Sequence, residues 1–145
     1  MRARGFTLFE MVVVLAVLAL LLALVPPLLG GSRAKAELLA SARAVAAGLR
    51  DTRSLAMAHD RSEVFALDVE AGSFRAAGKP ETRALPQGVR VSLLTTTGER
   101  IDRTAAGIRF VPDGSSTGGR VSLVRDGRAV EIVVDWLTGR IALRE

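Results

Sequence analysis

Three patterns of apolar and polar positions follow one another along the chain. After a basic start, Met1-Arg2-Ala3-Arg4-Gly5, the stretch from Phe6 to Ser32 holds one charge, Glu10, and nineteen residues from Met11 to Leu29 hold none. From Ser32 the pattern turns amphipathic: Leu38, Ala42, Val45, Leu49 and Ala56 recur at multiples of three and four and form one helical stripe. Arg33, Lys35, Arg43, Arg50 and Arg53 lie around that stripe, and Ser32 is a candidate N-cap. Beyond Ser62 the period becomes two, the signature of strands.

The third part predicts Val64–Val69 as a strand, a turn at Gly72 and a short partner near Phe74. Val89–Leu94 follows the Pro86-Gln87-Gly88 turn, and a polar loop spans Thr95 to Ala106. Ile108–Val111, Arg120–Val124, Ala129–Trp136 and Arg140–Leu143 complete the set, with Asp126-Gly127 as a two-residue hairpin turn. One long helix followed only by strands is an α+β chain, with an antiparallel sheet covering the helix stripe. The expected organisation is a leader over 1–5, a membrane half of the helix over 6–31, an amphipathic half over 32–60 and a β-rich domain over 61–145.

The uncharged run is long enough to cross a hydrocarbon layer of ~30 Å at ~1.5 Å per residue. Its basic flank favours a cytoplasmic N-terminus, with the rest of the chain delivered to the far side. A cleaved secretory signal would have a shorter apolar stretch, although Ala34-Lys35-Ala36 has the small-x-small form. A plain single-pass anchor is the simpler alternative. Pro26-Pro27 interrupt the run, predicting either a kink tolerated by neighbouring helices or a helix break at the membrane exit. A continuous helix of roughly 50 residues would measure ~75–80 Å.

Composition removes several chemistries. Zero cysteines exclude disulfides, thiolate metal sites and cysteine nucleophiles, and a single histidine excludes two-histidine metal motifs. His59 reads as a solvated or helix-capping residue. No nucleophile or acid–base constellation is recognisable, and no cofactor or metal is expected. Glu10 stands apart, because an acid in an apolar helix costs on the order of 2.5–3.5 kcal/mol unless it is partnered or reaches the headgroups.

Gly5-Phe6-Thr7-Leu8-Phe9-Glu10 resembles the prepilin processing signal of type IV pilins and type II secretion pseudopilins. The resemblance implies cleavage by prepilin peptidase between Gly5 and Phe6, N-methylation of Phe6, and a subunit-assembly role for Glu10, the fifth residue of the product. The new ammonium at Phe6 and the Glu10 carboxylate are each costly in hydrocarbon. Between staggered parallel helices they would neutralise one another.

The stretch Phe110-Val111-Pro112-Asp113-Gly114-Ser115-Ser116-Thr117-Gly118-Gly119-Arg120 lacks the order of a phosphate-binding loop and has no helix after it. With Asp135-Trp136-Leu137-Thr138-Gly139-Arg140 it is similar to the C-terminal signature of the minor pseudopilin H family of type II secretion. The family-motif positions are Phe110, Pro112, Asp113, Gly114, Gly118, Gly119, Trp136, Thr138 and Gly139. Trp136 reads first as core or sheet-edge packing, with an interface role as the alternative. The likeness implies a pilin-like fold and a structural subunit that starts or tips the pseudopilus. Its partners would be other minor pseudopilins, the major pseudopilin, prepilin peptidase and the inner-membrane assembly platform, with its β-domain periplasmic.

The alternative is a minor type IV pilin of a twitching or DNA-uptake system, binding DNA through Arg120, Arg125, Arg128, Arg140 and Arg144. Removing Arg2 and Arg4 leaves 18 basic against 15 acidic side chains, +3 instead of +5. Phosphate binding needs a clustered patch rather than a modest excess, and nucleic acid is not the expected partner.

Overall fold

The computed structural model describes residues 7–95 and 105–145, with side chains except over 23–32 and at 105. Two compact units divide at Ala34/Lys35. A single helix, α1 (Leu8–Ala58), contributes to both. In the first unit Thr7 caps it: its Oγ1 accepts from the Glu10 N–H at 3.2 Å and its carbonyl from the Met11 N–H. The backbone stays helical through Pro26 and Pro27, so the break at the membrane exit is not present. Neither proline can donate, which leaves the carbonyls of Leu22 and Ala23 without their usual helical partners. Ser32 is not an N-cap either, because it lies inside the helix that Thr7 has already started.

The second unit begins at Lys35. The predicted stripe is its centre: Leu38 is 2% exposed, and Ala42, Val45, Leu49 and Ala56 are fully buried. Among the described residues eight strands follow it: β1 (Glu63–Asp68), β2 (Ser73–Arg75), β3 (Arg83–Ala84), β4 (Arg90–Leu94), β5 (Ala105–Phe110), β6 (Gly119–Arg125), β7 (Arg128–Val134) and β8 (Ile141–Arg144). All pair antiparallel, in two four-stranded sheets instead of one. The first sheet has the order β3-β2-β1-β5 and the second β4-β6-β7-β8. Phe65, Leu67, Phe74, Ile108 and Phe110 of the first share one core with Val121, Leu123, Val130, Ile132 and Val134 of the second.

Gly48 lets the helix approach the first sheet, since an added Cβ would stand 3.0 Å from Phe65 and 3.3 Å from Phe74. One turn on, buried Thr52 donates to the Gly48 carbonyl and accepts the Ala77 N–H, tying the helix to the chain after β2. The hairpin between β6 and β7 is where the Asp126-Gly127 pair predicts it, with both residues at positive φ, 49° and 75°. The two-residue strand β3 carries no alternation that could announce it. Ala105 and Ala106 belong to β5 and not to a loop; positions 96–104 of the expected loop lie outside the described residues. β7 ends at Val134, two residues short of expectation, because Asp135 Oδ1 captures the N–H groups of Leu137 and Thr138 and turns the chain out of the sheet.

Candidate functional site

Two regions carry the candidate chemistry. At the N-terminus, Gly5 and Phe6, the expected cleavage positions, lie outside the described residues. Glu10 sits in the first turn of α1 with its side chain exposed, above the Thr7 cap. Thr7-x-x-Glu10 is also the spacing of a capping box, so the same residues serve as a helix-start signal. Among the described residues no helical segment is long and apolar enough to cross a membrane. The uncharged run itself continues into 23–32, whose side chains are not described.

In the second unit the two C-terminal motif segments meet at one junction. The chain leaves the first sheet at Phe110, fully buried, and turns through Pro112-Asp113-Gly114. The Ser115 hydroxyl and N–H donate to Asp113 Oδ1 at 2.7 and 2.9 Å. Those bonds hold the Asp113 carboxyl below the usual carboxylate range. Ser116 and Thr117 then run beside β5, where the Thr117 N–H donates to the Arg109 carbonyl. Gly118 and Gly119 swing the chain into β6 at φ of 69° and 152°.

The second segment follows β7. Asp135 Oδ1 accepts the Thr138 N–H at 2.8 Å, the Thr138 hydroxyl at 2.8 Å and the Leu137 N–H at 3.1 Å. The Thr138 bonds dominate in lowering the Asp135 carboxyl below its ordinary range, and the Arg140 charge assists. Ser116 ties the segments together: its N–H donates to the Trp136 carbonyl and its hydroxyl to the Asp135 carbonyl.

Arg53 of the helix closes the junction. Its Nε donates to the Gly114 carbonyl at 2.9 Å and its Nη2 to the Thr138 carbonyl at 3.0 Å. The fit admits no side chain: a Cβ on Gly139 would collide with the Gly114 carbonyl oxygen and lie 2.7 Å from Arg53 Nε. In the sequence Arg53 reads as one more solvated charge around the stripe. Nothing in its local pattern distinguishes it, because its partners are 61 and 85 residues away.

Trp136 corrects the packing expectation. Its side chain is 66% exposed, beside Leu137 at 63%, while its backbone is fixed by Ser116 and pressed against Gly118. The indole points outward because the residue stands just past the sheet, in the Asp135 turn. The five arginines do not form one patch. Arg125 is turned to the helix and bonded to Glu37. Arg128 is its cross-strand partner at the hairpin, while Arg140 lies in the Asp135 turn. Arg120 and Arg144 share the face of the second sheet away from the helix, where Arg120 lies 3.4 Å from Glu131.

Comparison with known proteins agrees with this geometry. Residues 1–26 match the prokaryotic N-terminal methylation motif. The chain is 31% identical over 138 residues to type II secretion system protein H of Xanthomonas campestris pv. campestris, covering 95% of this chain and 81% of that one. The fold resembles the minor pseudopilin EpsH of the Vibrio cholerae type 2 secretion system, at a TM-score of 0.57 and 13% identity over 74% of this chain and 94% of that one. It resembles the type IV minor pilin FimU of Pseudomonas aeruginosa equally, at 0.57 and 13% over 77% and 90%. With a methylation motif, a helix wrapped by antiparallel sheets and a relative matched along most of both lengths, the chain belongs to the type II secretion minor pseudopilin H family of pilin-like proteins.

Proposed function

We propose that this chain is a structural subunit at the tip or initiation complex of a type II secretion pseudopilus. Prepilin peptidase cuts between Gly5 and Phe6, and Phe6 is N-methylated. The segment 6–31 anchors the protein in the inner membrane by a single pass with its N-terminus cytoplasmic, and the second unit is periplasmic. Glu10 pairs with the Phe6 ammonium of an adjoining subunit and sets the stagger between helices. The partners are the other minor pseudopilins, the major pseudopilin and the assembly platform.

The observation that carries this reading is the methylation motif over 1–26 with Glu10 exposed one turn into the helix it starts. An unpartnered carboxylate there is costly in hydrocarbon, and an ammonium on a neighbour removes the cost. The minor type IV pilin reading shares the fold but loses its DNA-binding basis. Arg125 is committed to Glu37, and the other four arginines are split between the hairpin, the Asp135 turn and one sheet face.

Mass spectrometry of the mature chain from its native membrane tests the maturation step. The expected N-terminus is methylated Phe6; any other first residue overturns it. Glu10→Ala should leave the protein in the membrane and abolish its incorporation into the pseudopilus.

A further inference from the structure

We propose that the face of the second sheet turned away from the helix is a docking surface for an acidic protein partner that inserts one apolar side chain beside Trp136. This deepens the reading above by naming the chemistry of the subunit contacted, and rests on it.

Cross-strand register places Leu94, Arg120 and Val133 in one row and Ser92, Ser122, Glu131 and Arg144 in the next. Arg90, opposite Val124, ends the face. Three arginines therefore share this face with one carboxylate, Glu131. Among the described residues Arg90 and Arg144 make no ion pair, and Arg120 reaches Glu131 only at 3.4 Å. The surplus is two positive charges on a four-stranded face.

At the Leu94 end of that face lies an open groove of about 540 Å³. Leu94, 73% exposed, and Trp136 are its apolar walls, Gly118-Gly119 is its floor, and Asp135, which also lines it, turns its Oδ1 to the Leu137 and Thr138 N–H groups. That floor must stay bare: a Cβ on Gly118 would stand 2.9 Å from the Trp136 Cβ, and one on Gly119 2.9 Å from the Leu94 carbonyl. Exposing a tryptophan and a leucine costs solvation, yet here the backbone beneath is locked by Ser116 and Asp135. A rigid, outward tryptophan beside surplus arginine is the composition of an interface anchor.

Charge selects the occupant. An acidic surface satisfies Arg90 and Arg144 and fills the groove with a Leu, Met or Phe side chain. A second copy meeting this face with the same face would set arginine against arginine. A nucleic acid would bring phosphate against Glu131 and leave the groove's aliphatic wall without a partner.

The test uses the full-length chain in detergent and three probes: each purified full-length pseudopilin of the same secretion system, a duplex DNA oligonucleotide, and the chain itself. One pseudopilin with an acidic surface should bind. Its affinity should fall about tenfold or more in Arg90→Glu/Arg144→Glu and in Trp136→Ala, and stay within about threefold in Trp136→Phe. It should also weaken as salt rises from about 50 to about 300 mM. Unchanged thermal unfolding of these surface variants separates lost docking from lost folding. Binding indifferent to both substitutions, binding of DNA or self-association through these residues, or no pseudopilin bound overturns the proposal. Processing at Gly5 is read separately, so correct maturation with no docking removes this inference alone.

Discussion

Gly139 is the residue where geometry leaves least room. Its φ is 61°, and the nearest obstacle to a side chain is the Gly114 backbone oxygen that Arg53 also holds. Gly139→Ala should cost about 3 kcal/mol, combining backbone strain with a broken junction. Gly72, at nearly the same φ with open space around it, is the control: Gly72→Ala should cost only ~1 kcal/mol. Urea unfolding of the full chain in detergent measures both. Arg53→Lys should destabilise by about 2 kcal/mol despite retaining the charge, because an ammonium cannot reach two carbonyls in a fork. Trp136 supplies its own probe. As the only tryptophan and two-thirds exposed, it should emit as a hydrated indole and be quenched readily by acrylamide. A blue, protected emission from the isolated chain would contradict the exposed placement.

Among the elements, those that bury one face are legible in the amino-acid pattern alone. The stripe Leu38–Ala56 is buried as its spacing requires, and the β6–β7 turn falls on Asp126-Gly127. What the pattern conceals has a common cause in long-range contact. β3 exists only because Phe74 and Ser73 offer it a partner, and Ser32 resembles a cap only when the helix before it is ignored. The motif glycines are visible as a signature, but their work is not. For Gly114 and Gly139 it depends on Arg53, and for Gly118 and Gly119 on Trp136 and Leu94, all of which arrive from other elements. Both loops also carry a pH signature. Asp113 and Asp135 have lowered values in the folded chain, so their contribution is complete above the ordinary carboxylate range. It is lost as pH falls through that range to the lowered values. Thermal midpoints should be flat from about pH 7 to about pH 5 and drop below about pH 4, with a shallower drop in Asp113→Asn/Asp135→Asn.

For the whole molecule, the division at Ala34/Lys35 separates two kinds of demand. In the proposed role the first unit meets membrane and maturation through Glu10 and the residues before it. The second presents a folded surface on which Trp136, Arg90, Arg120 and Arg144 stand outward. A variant can therefore fail at one task alone. Glu10→Ala should leave the second unit's unfolding transition unchanged while removing pseudopilus incorporation, and Trp136→Ala should be processed normally at Gly5. Mature-chain mass spectrometry together with sheared-filament immunoblotting distinguishes the two outcomes.

The Arg53 clasp also sets an order of events during biogenesis. Its acceptors lie 61 and 85 residues downstream, so the clasp itself cannot close until the chain has been synthesised past Thr138. A polypeptide halted before Thr138 would leave that guanidinium with the Gly114 carbonyl alone and the Asp135 turn unlatched. Truncation before Ile141 also removes β8 with its Ile141 and Leu143 packing, so the full-length Arg53→Ala variant isolates the clasp. Protease should cleave it faster than the unaltered chain in segments 112–116 and 135–139.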